Sequence, residues 1–191
     1  MLSMRTHSDR LRWNARFSSE PPKFEPHPLV AAALTAGLPE GSVLELACGR
    51  SGSALALAAA GRHVVALDVS DVALSQLSAE AEHRGVAARI ECVLADAASY
   101  DPGQERFALV LATYFWDPAA FTTACTAVMP GGLLGWEALS TEPGAEGSAH
   151  RWRIRHGELS SRLPQRFAML DERAIVSGHK RSTRLLARAA R

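Results

Sequence analysis

The sequence predicts an open α/β fold: a single-domain, Rossmann-like, doubly wound sheet, mostly parallel, with helices on both faces and an antiparallel strand pair at its C-terminal end. Three observations predict it. Short apolar runs recur between residues 42 and 139, each bounded by glycine, proline or an acid. Helical stretches separate them, and strand–helix alternation builds a parallel sheet. The runs also lack the apolar–polar alternation of a half-solvated sheet, so cover is expected on both faces.

Taken in order, Ser8 to Phe17 reads as a short helix, capped by Ser8, with Leu11, Trp13 and Phe17 as its apolar side. SSEPPKFEPHP follows, and its prolines make it an extended connector. Leu29 to Ala36 is a second helix, with Pro28 suited to its first turn. Residues 1–36 thus form a helical lid segment, and residues 37–191 form the main body of one domain. There, SVLELA (Ser42–Ala47) is a strand ending in a Gly-rich turn, and Ala54 to Ala60 is a helix closed by Gly61. HVVALD (His63–Asp68) is the second strand; Ser70 or Asp71 caps a helix that Gly85 ends. ARIECVLAD (Ala88–Asp96) and FALVLAT (Phe107–Thr113) are the third and fourth strands. Asp117-Pro118 starts a helix reaching Val128, Pro130-Gly131-Gly132 is a turn, and LLGWEAL (Leu133–Leu139) is the fifth strand. A short helix in HGELSSRL and two β-like segments, RFAMLDERAIV and STRLLARAA, complete the chain as a hairpin-like pair on the sheet edge.

The chain has 191 residues, in line with one domain of about 100–200 residues. No apolar run approaches the roughly 20 residues that cross a bilayer, and the N-terminus lacks the apolar core of a secretory signal. The three cysteines, Cys48, Cys92 and Cys125, have no metal-ligand spacing and suit a reducing compartment, so no metal and a cytoplasmic location are expected. Charge is uneven: residues 37–149 carry 14 acids and 5 bases, residues 150–191 carry 11 bases and 3 acids. A basic tail raises the question of nucleic acid, but only Trp152 and Phe167 are there to stack on bases. The partner expected is a small-molecule substrate, with nucleic acid disfavoured, no membrane, and a monomer or homodimer as the assembly.

Ligands of open α/β sheets bind outside the carboxyl ends of the strands. The first strand offers Glu45, Ala47, Cys48, Gly49 and Ser51; the second ends in Asp68, followed by Val69; the third ends in Asp96 and Ala97; the fourth ends in Ala112, Thr113 and Tyr114. Acids at three successive strand ends repel a phosphate-rich cofactor. They suit S-adenosylmethionine (SAM), with its ribose diol, adenine amine, ammonium and sulfonium. Asp68 offers two oxygens to two ribose hydroxyls, and glycine at 49 lets the backbone approach closely. Asp96 faces the adenine amine beside the Ala97 amide, and Glu45 orients the loop and balances the ammonium.

The run ELACGxSG, ALD, LAD, FALVLAT and PGG resembles the class I SAM-dependent methyltransferase family over roughly residues 40–139. RWNARF near the start resembles the helix that opens the small tellurite-resistance and thiopurine methyltransferase-like types, and RIRHGELSSRL with FAMLDERAI resembles the Gly-Glu-Leu segment of the former. The resemblance implies methyl transfer from SAM to a small-molecule sulfur, selenium or tellurium, oxygen or nitrogen nucleophile, leaving S-adenosylhomocysteine (SAH). Ala47 and Ser51 replace two of the family's loop glycines by small residues. Trp13 and Phe17 join the cofactor set as a lid. Phe24, Tyr114, Phe115 and Trp116 are candidates to wall the acceptor, with Arg151, and beside it Arg16, Arg153 and Arg155, to draw in an anion. Base candidates are His27, Tyr114, Glu137 and His150, none in a diagnostic motif.

Three rivals stand beside this reading. Ala47-x-Gly49-x-x-Gly52 is a near miss to the dinucleotide fingerprint of NAD-type oxidoreductases; against it, Glu45 would face the pyrophosphate. The basic tail motivates an RNA-binding or RNA-modifying methyltransferase. The replaced glycines motivate a protein that keeps the fold without catalysis.

Overall fold

The computed structural model describes residues 7–141 and 152–191. Its strands are β1 (Ser42–Leu46), β2 (Val64–Asp68), β3 (Ile90–Leu94), β4 (Phe107–Thr113), β5 (Val128–Leu139), β6 (Phe167–Ser177) and β7 (Lys180–Ala189). They form one sheet in the order β3-β2-β1-β4-β5-β7-β6. The first five strands pair in parallel, and β7 runs antiparallel to both β5 and β6. The order reverses between β1 and β4, which sets the ligand crevice of such a sheet at their carboxyl ends.

The helices are α1 (Ser8–Ser19), α2 (Pro28–Thr35), α3 (Gly52–Ala59), α4 (Asp71–His83), α5 (Pro118–Ala127) and α6 (Glu158–Ser161). Helices α2, α3 and α4 cover one face of the sheet through Leu29, Ala33, Leu55, Leu57 and Leu77. On the other face α5 and α6 bury Phe121 and Leu159 against Leu134, Trp136 and Leu185. Four helices start on side-chain caps, with His27, Ser51, Ser70 and Asp117 accepting the amides of Leu29, Ala54, Ala73 and Ala120. Each cap satisfies a donor that the first turn leaves free.

Several expectations change in the folded chain. Buried strands hold for β1, β2 and β4, but β3 lies at the sheet edge with Glu91, Cys92 and Leu94 exposed. The Pro130-Gly131-Gly132 turn sits inside β5, whose register with β4 breaks between Phe107 and Leu109, so it acts as a bulge. Ile154 makes one bridge, to Ser140. Helix α2 belongs to the core, with Leu29, Val30 and Ala33 buried, and is no part of a lid. The basic tail has internal uses: Arg188 donates to the carbonyls of Ala36 and Gly131, Arg166 to those of Cys125 and Val128, and Arg153 to that of Ser140. The first two close the ends of α2 and α5, where free carbonyls favour cations.

Helix α1 departs most from its expected form. It has no buried residue, Leu11 is 58% exposed, and its cap position is His7 with no side-chain bond. It docks by a polar stripe instead. His7 Nε2 lies 3.6 Å from Asp96 Oδ2, Arg10 makes two contacts to Asp71 at 2.9 and 2.8 Å, and Asn14 donates to Asp71 at 2.7 Å. Asn14 also accepts from Ser70 Oγ, and Gln76 donates to the Phe17 carbonyl. Residues 7, 10, 14 and 17 share one helical face, and that face crosses the ends of β1, β2 and β3. Part-exposed ion pairs contribute roughly 0–1 kcal/mol each, so α1 is a lightly held cover. Leu11→Ser is therefore expected to change stability by less than about 0.5 kcal/mol in urea titration. Asp71→Ala, by contrast, removes the shared anchor of Arg10 and Asn14, and limited proteolysis should then cut α1 much faster; equal cutting would rule out polar docking.

Candidate active site

Two groups of polar side chains gather at the carboxyl ends of the strands. The first surrounds the turn after β1. Asp68, at the end of β2, accepts the Gly49 amide at 2.7 Å and the Ser70 amide at 2.8 Å. Gly49 has φ 55°, and a Cβ there would stand 3.2 Å from the Phe17 ring. Glu45 accepts from Ser51 Oγ at 2.5 Å. Gly52 is required by the chain itself: a Cβ there would lie 2.5 Å from the Phe24 carbonyl carbon in the connector. Ala47, where the family has glycine, has φ 49°.

Glu45 and Asp68 are buried carboxylates with no cationic partner among the described residues. Burial, then the nearby Asp68 charge, pushes Glu45 up to about 7 against the hydrogen bond from Ser51. Burial also raises Asp68, opposed by the amides of Ser70 and Gly49. Buried acids are ordinarily paired; here an uncompensated negative field waits for positive charge. Cys48 is buried, and burial followed by the charges of Asp68 and Glu45 drives its thiol well above the ordinary range, so it stays protonated and packs as a small apolar residue. Asp96 sits at the same rim, accepting the Ala98 amide at 3.1 Å. Val69 is half-buried and Ala97 buried beside it, while Ala112 is buried and Thr113 half-buried at the end of β4.

The second group centres on Glu137, fully buried near the end of β5. Its carboxylate receives Ser182 Oγ at 2.6 Å and Arg184 Nε at 2.5 Å, and His27 Nε2 stands 3.0 Å away. Arg184 is its cross-strand partner on β7. Burial would raise Glu137, but the nearby His27 ring and the hydrogen bonds from Ser182 and Arg184 outweigh it and hold the group down at about 2. His27 is placed by its amide on Ser53 Oγ (3.0 Å) and by Nδ1 accepting the Leu29 amide (3.2 Å). The Tyr114 ring meets the His27 ring edge-on at 5.7 Å, and burial followed by the Glu137 charge pushes its phenol up.

Three of the four base candidates, His27, Tyr114 and Glu137, are thus brought together, while His150 and Arg151 lie outside the described residues. The expected acceptor wall is not assembled. Trp116 is buried in the core against Phe121 with Arg162 over its ring. Phe115 is half-buried and faces Trp136, which donates to its carbonyl. Phe24 packs on the α2–α4 core under Arg84, at the far end of α4. Trp13 stacks on Phe17 with Arg12 and Arg16 over its face, Arg16 pairs with Glu20, and Arg155 is exposed. The sequence reading missed Asn14, Ser182 and Arg184; the i, i+4, i+7 spacing of Arg10, Asn14 and Phe17 was a signal for the first, and none was present for the others.

The sheet order and the antiparallel terminal pair are those of the class I methyltransferase fold. A model described as a methyltransferase domain matches residues 43–132 of the chain. Among solved structures, TehB from Haemophilus influenzae aligns over 93% of this chain and 67% of its own, with a TM-score of 0.72 and 18% identity. Magnesium protoporphyrin IX methyltransferase from Synechocystis PCC 6803, solved with SAH, covers 96% and 95%, with a TM-score of 0.71 and 14% identity. The 1,6-didemethyltoxoflavin-N1-methyltransferase of Burkholderia thailandensis, with bound 1,6-didemethyltoxoflavin and SAH, covers 86% and 78%, with a TM-score of 0.66 and 17% identity.

Two outcomes follow from this geometry. A left-handed backbone strains alanine but not glycine, so Ala47→Gly should stabilise the protein by about 1 kcal/mol in urea titration. Glu45 is protonated more readily folded than unfolded, so its contribution to stability is complete below pH 4.5 and is lost as pH rises to about 7. Across that window the stability of Glu45→Gln relative to wild type should improve by about 3 kcal/mol, at about 1.4 kcal/mol per pH unit; a constant difference would mean Glu45 is not perturbed.

Proposed function

We propose that the protein transfers a methyl group from SAM to a small-molecule nucleophile, binding the cofactor along the rim formed by Glu45, Gly49, Asp68 and Asp96 beneath α1. One observation carries this: two adjacent buried acids, Glu45 and Asp68, have no cation beside them among the described residues and flank a tight turn. Those acceptors suit the hydroxyls, amine and positive charge of the cofactor. When bound, SAM supplies the methyl group on a positively charged sulfur.

The chain's own residues do the rest. Each oxygen of Asp68 accepts one amide and keeps a second lone pair for a ribose hydroxyl. Asp96 would receive the adenine amine in place of His7, and Glu45 would face the positive end of the cofactor. Phe17 closes over Gly49, and α1 opens for exchange because its contacts are few and polar. Positioning alone is worth about 7–11 kcal/mol in such a displacement. The free thiols Cys48, Cys92 and Cys125 suit a reducing cytoplasm. An NAD-type reading gains no support, since the buried Glu45 beside the turn opposes a pyrophosphate, and the tail arginines that motivated RNA binding serve internal carbonyls.

Calorimetry with SAH and NADH tests the proposal. SAH is expected to bind and NADH not. Asp68→Ala should reduce SAH affinity by more than about tenfold, the worth of one charge-assisted hydrogen bond. Tight NADH binding without SAH binding would overturn it, and a screen of thiol, selenium, tellurium and phenol acceptors with labelled SAM then identifies the acceptor atom.

A further inference from the structure

We infer that the Tyr114 ring is a platform on which a planar, unsaturated methyl acceptor stacks, so that the site takes aromatic or conjugated rings in preference to saturated ones of the same size. This names an acceptor class and rests on the methyltransferase reading. Of the aromatic residues expected to wall the acceptor, Phe24, Phe115 and Trp116 pack against the protein's own core. Tyr114 does not, and is 57% exposed. It follows β4 directly, beside β1, where the order of the sheet reverses. That switch is where open α/β sheets bind ligands.

The ring is held in place although it faces outward. Its backbone has φ 55°, a conformation rare for an aromatic residue that persists only where the surroundings determine it. Both of its neighbours are tied to β5. Thr113 is in register with Glu137, the Phe115 amide donates to the Glu137 carbonyl at 3.3 Å, and the Phe115 carbonyl accepts the Trp136 indole N–H at 2.9 Å. The side chain is braced by the His27 ring, which meets it at 5.7 Å and 84°. His27 is in turn held by Ser53 Oγ and the Leu29 amide. In an edge-on pair His27 takes at most one face of the Tyr114 ring, so the other is left for a ligand. Single exposed aromatics are ordinary on a surface; the left-handed backbone, the bracing and the place at the switch point set this one apart. A ring already fixed loses little rotamer freedom when a ligand lies on it. A flat π-system can adopt the offset or edge-on geometry that aromatic pairs favour, whereas a saturated ring fills the same space without a π-face to match.

Ligand-observed NMR on the full chain loaded with SAH provides the test. Benzyl alcohol, benzyl mercaptan and benzylamine are each set against the saturated counterpart: cyclohexylmethanol, cyclohexylmethanethiol and cyclohexylmethylamine. In wild type at least one flat ring should bind about two- to tenfold better than its saturated counterpart, the range of one aromatic pair. Tyr114→Phe keeps the ring and should keep that preference. Tyr114→Leu keeps apolar bulk without a π-face and should erase it, as should Tyr114→Asn, which tolerates the left-handed backbone if leucine does not. Retained SAH binding shows that each variant is folded and loaded. Absence of any preference in wild type, a preference that survives Tyr114→Leu or Tyr114→Asn, or one lost in Tyr114→Phe overturns the proposal. Failure of wild type to bind SAH would instead overturn the methyltransferase reading itself.

Discussion

The carboxylate of Asp68 joins three parts of the molecule that local sequence leaves independent. One oxygen takes the amide of Gly49 in the turn after β1, and the other takes the amide of Ser70 at the start of α4. The turn is thereby fixed in the left-handed shape that brings Phe17 over it, and the α4 cap is fixed where Asn14 and Arg10 reach it. Removing that carboxylate would free the turn, the helix start and the seat of the lid together. In the proposed cofactor site the same carboxylate would receive the ribose, so one side chain would serve as both scaffold and ligand.

The two buried acidic centres differ in kind. Glu137 is surrounded by donors and a guanidinium and is held near 2, whereas Glu45 has one hydroxyl and a neighbouring acid and rises to about 7. A satisfied anion organises structure; an unsatisfied one invites a cation. Both lie at the same end of the sheet, which separates a side built to receive positive charge from a side whose charges are already matched. Tyr114 stands by the second, at the junction of β1 and β4.

Much of this was legible in the sequence, and unevenly so. The strand FALVLAT coincides with β4, and Asp117-Pro118 starts α5, because caps and apolar runs are local signals. The acids of the rim were legible because strand ends converge in any open parallel sheet. Trp116 was misplaced because an aromatic just past a strand can turn into the core as readily as toward a ligand, and packing against Phe121 decided it. Helix α1 was read by its apolar residues, yet polar contacts with Ser70 and Asp71, some sixty positions away, settle which face docks.

By itself the sequence determined the order and kind of the elements, the glycine turn and the acids that edge it, since these follow from periodicity, capping and backbone freedom within a few residues. Only the tertiary structure decided which charges are matched. Glu137 meets Arg184 through strand pairing and His27 through a connector more than a hundred residues earlier. The protonation of a buried acid depends on such distant neighbours, so the difference between a structural carboxylate and one left open for a ligand exists only in the folded chain.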